Sequence, residues 1–217
     1  MPVQAVANFY QALGGGGFDP TRQLHWLLDT PQRAQQYAQF GAVSGQVLSV
    51  CIELDVGLHR GGVSSDDDML EILRHTQASD NLNFKGLMGY EPHVVKVPGN
   101  PATYRDRAMS VYRHYLSLTK QTLATDWPED ALLNAGGSPT YQMYDAGDYP
   151  FNELAAGSCL VKPSDFDLPT LADHVAASYI ATPVLKRLDQ TRIPGIDLGG
   201  QVEPGSTVIV TPRASLE

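Results

Sequence analysis

Four short segments gather side chains and glycines suited to holding an anionic ligand. The first runs Glu53-Leu54-Asp55-Val56-Gly57-Leu58-His59-Arg60-Gly61-Gly62. An apolar run ends at Asp55, and a His59-Arg60 pair follows between glycines, which let the backbone turn sharply and approach a ligand. The Arg60 guanidinium can give two parallel hydrogen bonds to an oxygen-rich group. The plainer reading is a strand end whose polar side chains bond locally. The second segment, Gly86 to His93, puts Tyr90 and His93 just past another strand end, where each can donate, accept or stack; a structural histidine is the alternative. The third is Asn134-Ala135-Gly136-Gly137-Ser138-Pro139-Thr140. Its glycines free backbone N–H groups for an anion nest, and Ser138 and Thr140 add hydroxyls. It also suits an ordinary glycine turn. The fourth, Asn152 to Ser158, ends in Gly157-Ser158, which could add N–H groups to the same anion.

These segments need a scaffold, and apolar runs alternate with helical patterns through most of the chain. The spacing predicts a helix over 3–13, a strand at Leu24–Leu28, and a helix from Thr30-Pro31 to Phe40, with threonine as cap and proline at the first helical position. A strand follows at Val47–Leu54. Ser64 and Ser65, with acids behind them, open a helix to Thr76. Phe84–Tyr90 reads as a strand, Tyr104–Ala124 as a long helix, Ala131–Asn134 as a strand, and Glu153–Val161 as containing one more. Strands alternating with helices imply βαβ units and a parallel sheet. In a (β/α) barrel the chemistry sits at the C-terminal strand ends, and the four segments fall there. From His174 onward the pattern turns β-rich and then rich in Gly, Pro and Val. The expected organisation is a barrel over 1–173 and part of a C-terminal β-domain over 174–217.

Composition narrows the partners. The chain has 217 residues, 42% hydrophobic and 18% charged, ordinary for a soluble globular protein. Its formal charge of −9 argues against nucleic acid or an anionic membrane as partner. No apolar run approaches a membrane span, and no signal peptide is read at the N-terminus, so the expected location is cytoplasmic. Cys51 and Cys159 are expected to be small buried hydrophobes. There is no HExxH, Walker loop, GxSxG, GxGxxG or zinc-spaced Cys/His cluster.

Taken in order, the four segments resemble fold-type III pyridoxal-phosphate (PLP) enzymes, the alanine-racemase-like barrels. Within them the sequence is most similar to the D-threonine aldolase / D-serine dehydratase branch, whose texture also shows in residues 23–33, 87–98 and 160–174. The resemblance covers roughly residues 1–195. It implies an α/β fold: a TIM-type (β/α) barrel, incomplete at its N-terminus, with a remnant of a C-terminal β-domain. It implies PLP as cofactor, with Gly136, Gly137, Ser138, Thr140, Gly157 and Ser158 around its phosphate and His59 beside it. Arg60 would face the ring oxygen, and Tyr90 and His93 the ring or substrate, as catalytic residues. Glu153 is a further candidate near the ring. Ala155 stands where alanine racemases carry an arginine facing the pyridine nitrogen, which favours the aldolase/dehydratase branch.

The resemblance also implies two departures. The lysine that holds the cofactor lies at the end of the family's first barrel strand, upstream of this sequence, and none of Lys85, Lys96, Lys120, Lys162 and Lys186 matches its position. The branch's divalent metal is held by His with Cys or Asp near the C-terminus, and no His or Cys follows His174. The implied activity is aldol cleavage or dehydration of small D-3-hydroxy amino acids, impaired in this chain alone. The alternatives are a non-catalytic PLP- or phosphate-binding barrel, a racemase or epimerase relative, and an unrelated sugar-phosphate barrel. A homodimer or higher association is expected, because missing strands would expose sheet edges.

Overall fold

A computed structural model of the chain describes residues 1–177 apart from Gly15 and Ala146. These residues belong to two compact units, one spanning Met1–Ala156 and one beginning at Gly157. The β-rich segments expected at 177–185 and 195–211 lie, but for Ala177, outside the described residues.

The first unit is a parallel α/β layer. Its order is α1 (Val3–Ala12), α2 (Pro20–Gln23), β1 (Trp26–Leu28), α3 (Pro31–Ser44), β2 (Leu48–Leu54), α4 (Asp66–Gln77), β3 (Leu82–Gly89), α5 (Pro101–Leu123), β4 (Leu132–Ala135) and β5 (Glu153–Leu154). The strands form one sheet in sequence order, β1-β2-β3-β4-β5, with every neighbouring pair parallel. Consecutive order without reversal is the barrel arrangement, not the doubly wound one. β1 and β5 are the two edges of the described sheet.

Local chemistry explains the boundaries. At α3, Thr30 Oγ1 accepts from Arg33 N at 3.2 Å, Pro31 takes the first helical position, and Gly45 ends the helix at φ 68°. At α4, Ser65 Oγ accepts from Asp68 N at 3.2 Å, three aspartates fill the first turn, and Arg74 and His75 fill the last, matching the helix dipole at both ends. Pro101 starts α5 under an Asn100 cap, with Oδ1 accepting from Ala102 N at 2.9 Å.

One face of the sheet packs under the helices. Leu28, Leu48, Val50, Ile52, Leu54 and Leu87 are buried there with Tyr37, Met69, Ile72, Leu73, Met109 and Tyr112. A β-bulge shifts the β2–β3 register between Val50 and Cys51, so Val50 faces Phe84 while Cys51 faces Gly86. Gly86 sits at φ 156°, and a Cβ there would collide with the Leu132 backbone carbonyl. Cys51 and Cys159 are free and buried, as expected. Burial, with Glu153 nearby, pushes the Cys51 thiol up to about 12. No helix of the described residues is long and apolar enough to cross a membrane.

The strand expected within 153–161 is β5, and it is short. Pairing with β4 stops at Leu154, one further backbone bond runs from Ala155 N to Ala135 O at 2.9 Å, and Ser158–Leu160 is a 3-10 turn. Ala155-Ala156-Gly157 offers no β-branched or aromatic side chain to extend the ladder.

Candidate functional site

The C-terminal ends of β2, β3 and β4 are neighbours in the sheet, so the segments that follow them meet. After β2, Asp55 organises a tight turn. Its Oδ1 accepts from Gly57 N at 3.0 Å and His59 N at 2.9 Å, and its Oδ2 lies 2.7 Å from His59 Nδ1. Burial opposes the Asp55 charge, but the bonds from His59 and Gly57 outweigh it and hold the carboxyl below its usual range. His59 adopts φ 56°, a left-handed conformation uncommon for a side-chain-bearing residue and one that marks a constrained turn. Its side chain is 81% exposed.

Arg60 reaches across to β3's end. Its guanidinium carbon lies 4.7 Å from the Tyr90 ring centre, and Nη2 is 3.5 Å from Glu53 Oε1. The other contact of Tyr90 is with the β4 turn: a Cβ on Gly137 would sit 2.8 Å from the Tyr90 ring. Arg60, Tyr90 and Gly137 therefore form one stack across three strand ends. His93 lies in the 3-10 turn Pro92–Val95, with its ring against Gly57; a Cβ there would be 3.1 Å from His93 Nε2. The buried His93 Nδ1 has no hydrogen-bond partner among the described residues. Burial, reinforced by His59, keeps its pKa below the usual histidine value, against a smaller pull from Asp55, so the ring favours the neutral form.

The glycine turn after β4 is tied from beneath by a residue that motif reading passes over. Glu91 is fully buried. Its Oε1 accepts from Tyr144 Oη at 2.9 Å and Thr140 Oγ1 at 3.1 Å, and its Oε2 accepts from Gly136 N at 3.3 Å. Burial pushes the Glu91 carboxyl up, and the three donors only partly offset it. The turn closes on itself through Thr140 N and Tyr141 N, which both donate to Gly137 O at 2.9 Å. Thr140 is buried and Gly136 N is engaged, so two of the expected anion donors serve Glu91. Gly137 N–H is without a partner among the described residues. Ser138 is nearly buried on the same turn.

Beside the turn, Asn134 Nδ2 donates to Glu153 Oε2 at 2.8 Å, joining the exposed Glu153 to β4. Gly157 and Ser158 belong to the second unit, where Gly157 precedes the 3-10 turn and the Ser158 carbonyl accepts from Lys162 N at 3.1 Å. The lysines are spread: Lys85 on β3 is 3.8 Å from Asp130, Lys96 is exposed, Lys120 lies over Trp127, and Lys162 bonds His174 O in the second unit. Lys186 lies outside the described residues. No group of three or more His, Cys, Asp or Glu among the described residues is placed to hold a metal. A shallow surface cavity of about 480 Å³, lined by Val3, Arg33, Phe40 and Val43 among others, shares no residue with the strand-end cluster.

The donor set fits an anion with an attached ring. Arg60 supplies a cation, Gly137 an unmatched N–H, and Tyr90 an aromatic face beside both. Glu91, which short motifs miss, is far from the turn in sequence and becomes visible as its anchor only once β3 and β4 pair, with Tyr144 just beyond the turn as one of its donors.

Residues 17–165 match the family model described as "Alanine racemase, N-terminal domain". Among curated proteins, the chain is 26% identical over 125 residues to a 3-hydroxy-D-aspartate aldolase of Paracoccus denitrificans (strain Pd 1222), covering 56% of this chain and 31% of that protein. It is 26% identical over 142 residues to a D-threonine aldolase of Arthrobacter sp., covering 64% and 36%. The chain thus spans about a third of the length of these relatives. Among solved structures, D-threonine aldolase from Filomicrobium marinum superposes with a TM-score of 0.56 at 19% identity, over 75% of this chain and 45% of that one. Alanine racemase from Bacillus anthracis superposes with a TM-score of 0.52 at 13% identity, over 74% and 42%. At such identities these superpositions speak for the barrel fold alone.

Proposed function

Since the chain belongs to the alanine racemase N-terminal domain family, we propose that its strand-end cluster is the ring- and phosphate-side half of a PLP site, built for lyase chemistry on small D-3-hydroxy amino acids. The observation that carries the reading is the Arg60–Tyr90–Gly137 stack, which joins three strand ends around a cation, an aromatic face and an unmatched N–H. Gly137 and Ser138 would hold the phosphate. Arg60 would orient the ring oxygen, and His59 would stand beside it with its backbone fixed by Asp55. The neutral His93 has an imidazole nitrogen able to accept a proton near the substrate. When bound, PLP would supply the electron sink for cleavage at the amino acid's α-carbon. The names of both curated relatives, aldolases of D-amino acids, support the substrate class. Aldol cleavage, dehydration and epimerisation all use these same residues, and the D-serine dehydratase variant stands beside the aldolase one. A divalent metal belongs to this chemistry in the branch the sequence resembles, and no group of ligands for it is placed among the described residues. The chain's acidic charge favours a small-molecule partner over nucleic acid or membrane, and a cytoplasmic setting suits its two free thiols.

A second reading, reversible PLP binding without a covalent anchor, is favoured by the placement of Lys85, Lys120 and Lys162, whose contacts are with Asp130, Trp127 and His174. One experiment separates the two. The purified protein is incubated with PLP, its visible spectrum recorded, and the mixture reduced with borohydride and mapped. A cofactor spectrum with one stably labelled lysine would favour the lyase reading and overturn the expectation that none of these lysines anchors the cofactor. Reversible binding expects saturable PLP binding with no stable label, and absence of any PLP binding overturns both. β1 and β5, the edges of the sheet among the described residues, support self-association, which a single sharp monomer peak in size-exclusion chromatography would contradict.

A further inference from the structure

Glu91 is an unusual neighbour for an anion site. A fully buried carboxylate is ordinarily matched by a cation, yet its partners are one backbone N–H and two hydroxyls, and it makes no ion pair among the described residues. Two of those partners, Gly136 N–H and Thr140 Oγ–H, belong to the turn proposed above to receive phosphate. The carboxylate therefore fills, from inside, part of the donor set that an arriving anion would use.

The surroundings leave the carboxyl as the group that must adjust. Tyr144, on the turn after Thr140, donates to Glu91, and burial, then the Glu91 charge itself, pushes its phenol well above the usual range, so it stays protonated. Tyr112 on α5 is held neutral in the same way, by burial first and with Glu91 among the charges around it; its hydroxyl donates to Leu87 O at 3.3 Å. Arg105 on α5 bonds Met143 O and pairs with Asp106; its influence falls on Tyr144 and Tyr149. On the strand side, His93 responds to Asp55 and His59. Two negative groups sharing one buried turn repel strongly at low dielectric, and one is neutralised by a proton.

We propose that anion binding at the Gly136–Thr140 turn is coupled to uptake of a proton by Glu91, making this buried glutamate a proton-linked partner of the phosphate site. The coupling rests on the reading of the turn as a phosphate site. The proton comes from solvent and adds to a Glu91 carboxylate oxygen; no other bond changes. Once neutral, Glu91 releases its hold on the Gly136 N–H and Thr140 hydroxyl, which can then turn to the anion. The burial that already pushes Glu91 upward favours the same state.

The test is isothermal titration at pH 8 with pyridoxine 5′-phosphate, the non-reactive alcohol form of the cofactor, in buffers of differing ionisation heat. At this pH the phosphate is already a dianion (second pKa about 6), and any proton change on the ligand ring is common to both proteins, so the difference between wild type and Glu91→Gln reports the carboxyl. The wild-type chain should take up a fraction of a proton approaching one, and its affinity should fall by up to about tenfold per pH unit across the titration. Glu91→Gln should bind with that uptake removed and a flatter pH profile. An infrared difference spectrum of wild type alone covers the case of a poorly folding variant: a protonated-carboxyl C=O band should appear when the phosphate binds. Equal proton counts in wild type and Glu91→Gln, or binding without the carboxyl band, overturn the coupling and leave the phosphate site standing. Absence of binding to either protein overturns the site and the coupling together.

Discussion

Two carboxylates stand just past adjacent strand ends, Asp55 after β2 and Glu91 after β3, and each accepts three hydrogen bonds. Yet the Asp55 carboxyl is held below its usual range and the Glu91 carboxyl above it. The number of bonds does not decide the direction. The Asp55 side chain is 9% exposed and borders the largely exposed His59, an imidazole that can carry compensating charge. Glu91 is wholly buried and has neutral donors only. Desolvation is the largest influence at both sites; at Asp55 short local bonds and a chargeable partner overcome it, and at Glu91 nothing does. The first carboxylate shapes a solvent-facing loop, and the second shapes a buried turn.

The largest expected effect is on folding stability at Glu91. Glu91→Ala leaves the Gly136 N–H and the Thr140 and Tyr144 hydroxyls without their acceptor in a buried site, at a cost of about 3 kcal/mol. Asp55→Ala strands two backbone N–H groups that water can reach, and should cost about 1–2 kcal/mol. Urea unfolding of both variants at one pH measures the pair. Equal losses would break the contrast, because they would mean that Glu91's partners are as readily hydrated as those of Asp55.

The second test is pH. The folded pKa of Asp55 lies below its unfolded value of about 3.9. Its contribution is full above that value and is lost as pH falls through the folded pKa. Glu91 runs the other way. Its folded pKa lies above the unfolded value of about 4.3, so stability is greatest below that point and declines as pH rises to the folded pKa. Asp55→Asn should therefore soften the loss of stability in acid. Glu91→Gln should remove a decline above about pH 4.3. Stability measured by chemical denaturation between pH 3 and 8 reads both slopes, and a Glu91→Gln curve parallel to wild type would show that this carboxyl titrates normally.

The comparison also shows what a sequence can reveal. Asp55 binds residues two and four positions away, so its motif is contiguous and readable. So are the caps at Thr30 and Ser65, which is why α3 and α4 begin within a residue or two of where they are expected. Glu91 binds residues 45, 49 and 53 positions away, across the whole of α5 and β4. No spacing rule joins such positions; only the parallel β3–β4 pairing brings them together. The same limit explains β5: residues 153–161 could be read as containing a strand, but only the pairing with β4 fixes its two residues.

The smallest expected effect on folding is at Arg60. Its side chain is 60% exposed, its contact with Glu53 is long at 3.5 Å, and its stacking on Tyr90 is open to solvent. Exposed cation–π and ion-pair contacts contribute about 0.5–1 kcal/mol, so Arg60→Ala should lower stability by no more than that. Binding should respond differently. An exposed guanidinium that contributes little to the fold, yet lies on the ring that packs against Gly137, is placed to meet a ligand. Arg60→Ala should weaken pyridoxine 5′-phosphate by at least tenfold while unfolding in urea almost as wild type does. Arg60→Lys keeps the charge without the planar fork, and should recover only part of the affinity. Full recovery would mean that a point charge suffices there. Unchanged affinity in Arg60→Ala would leave the stack a packing feature of the loop and confine the anion contacts to the glycine turn.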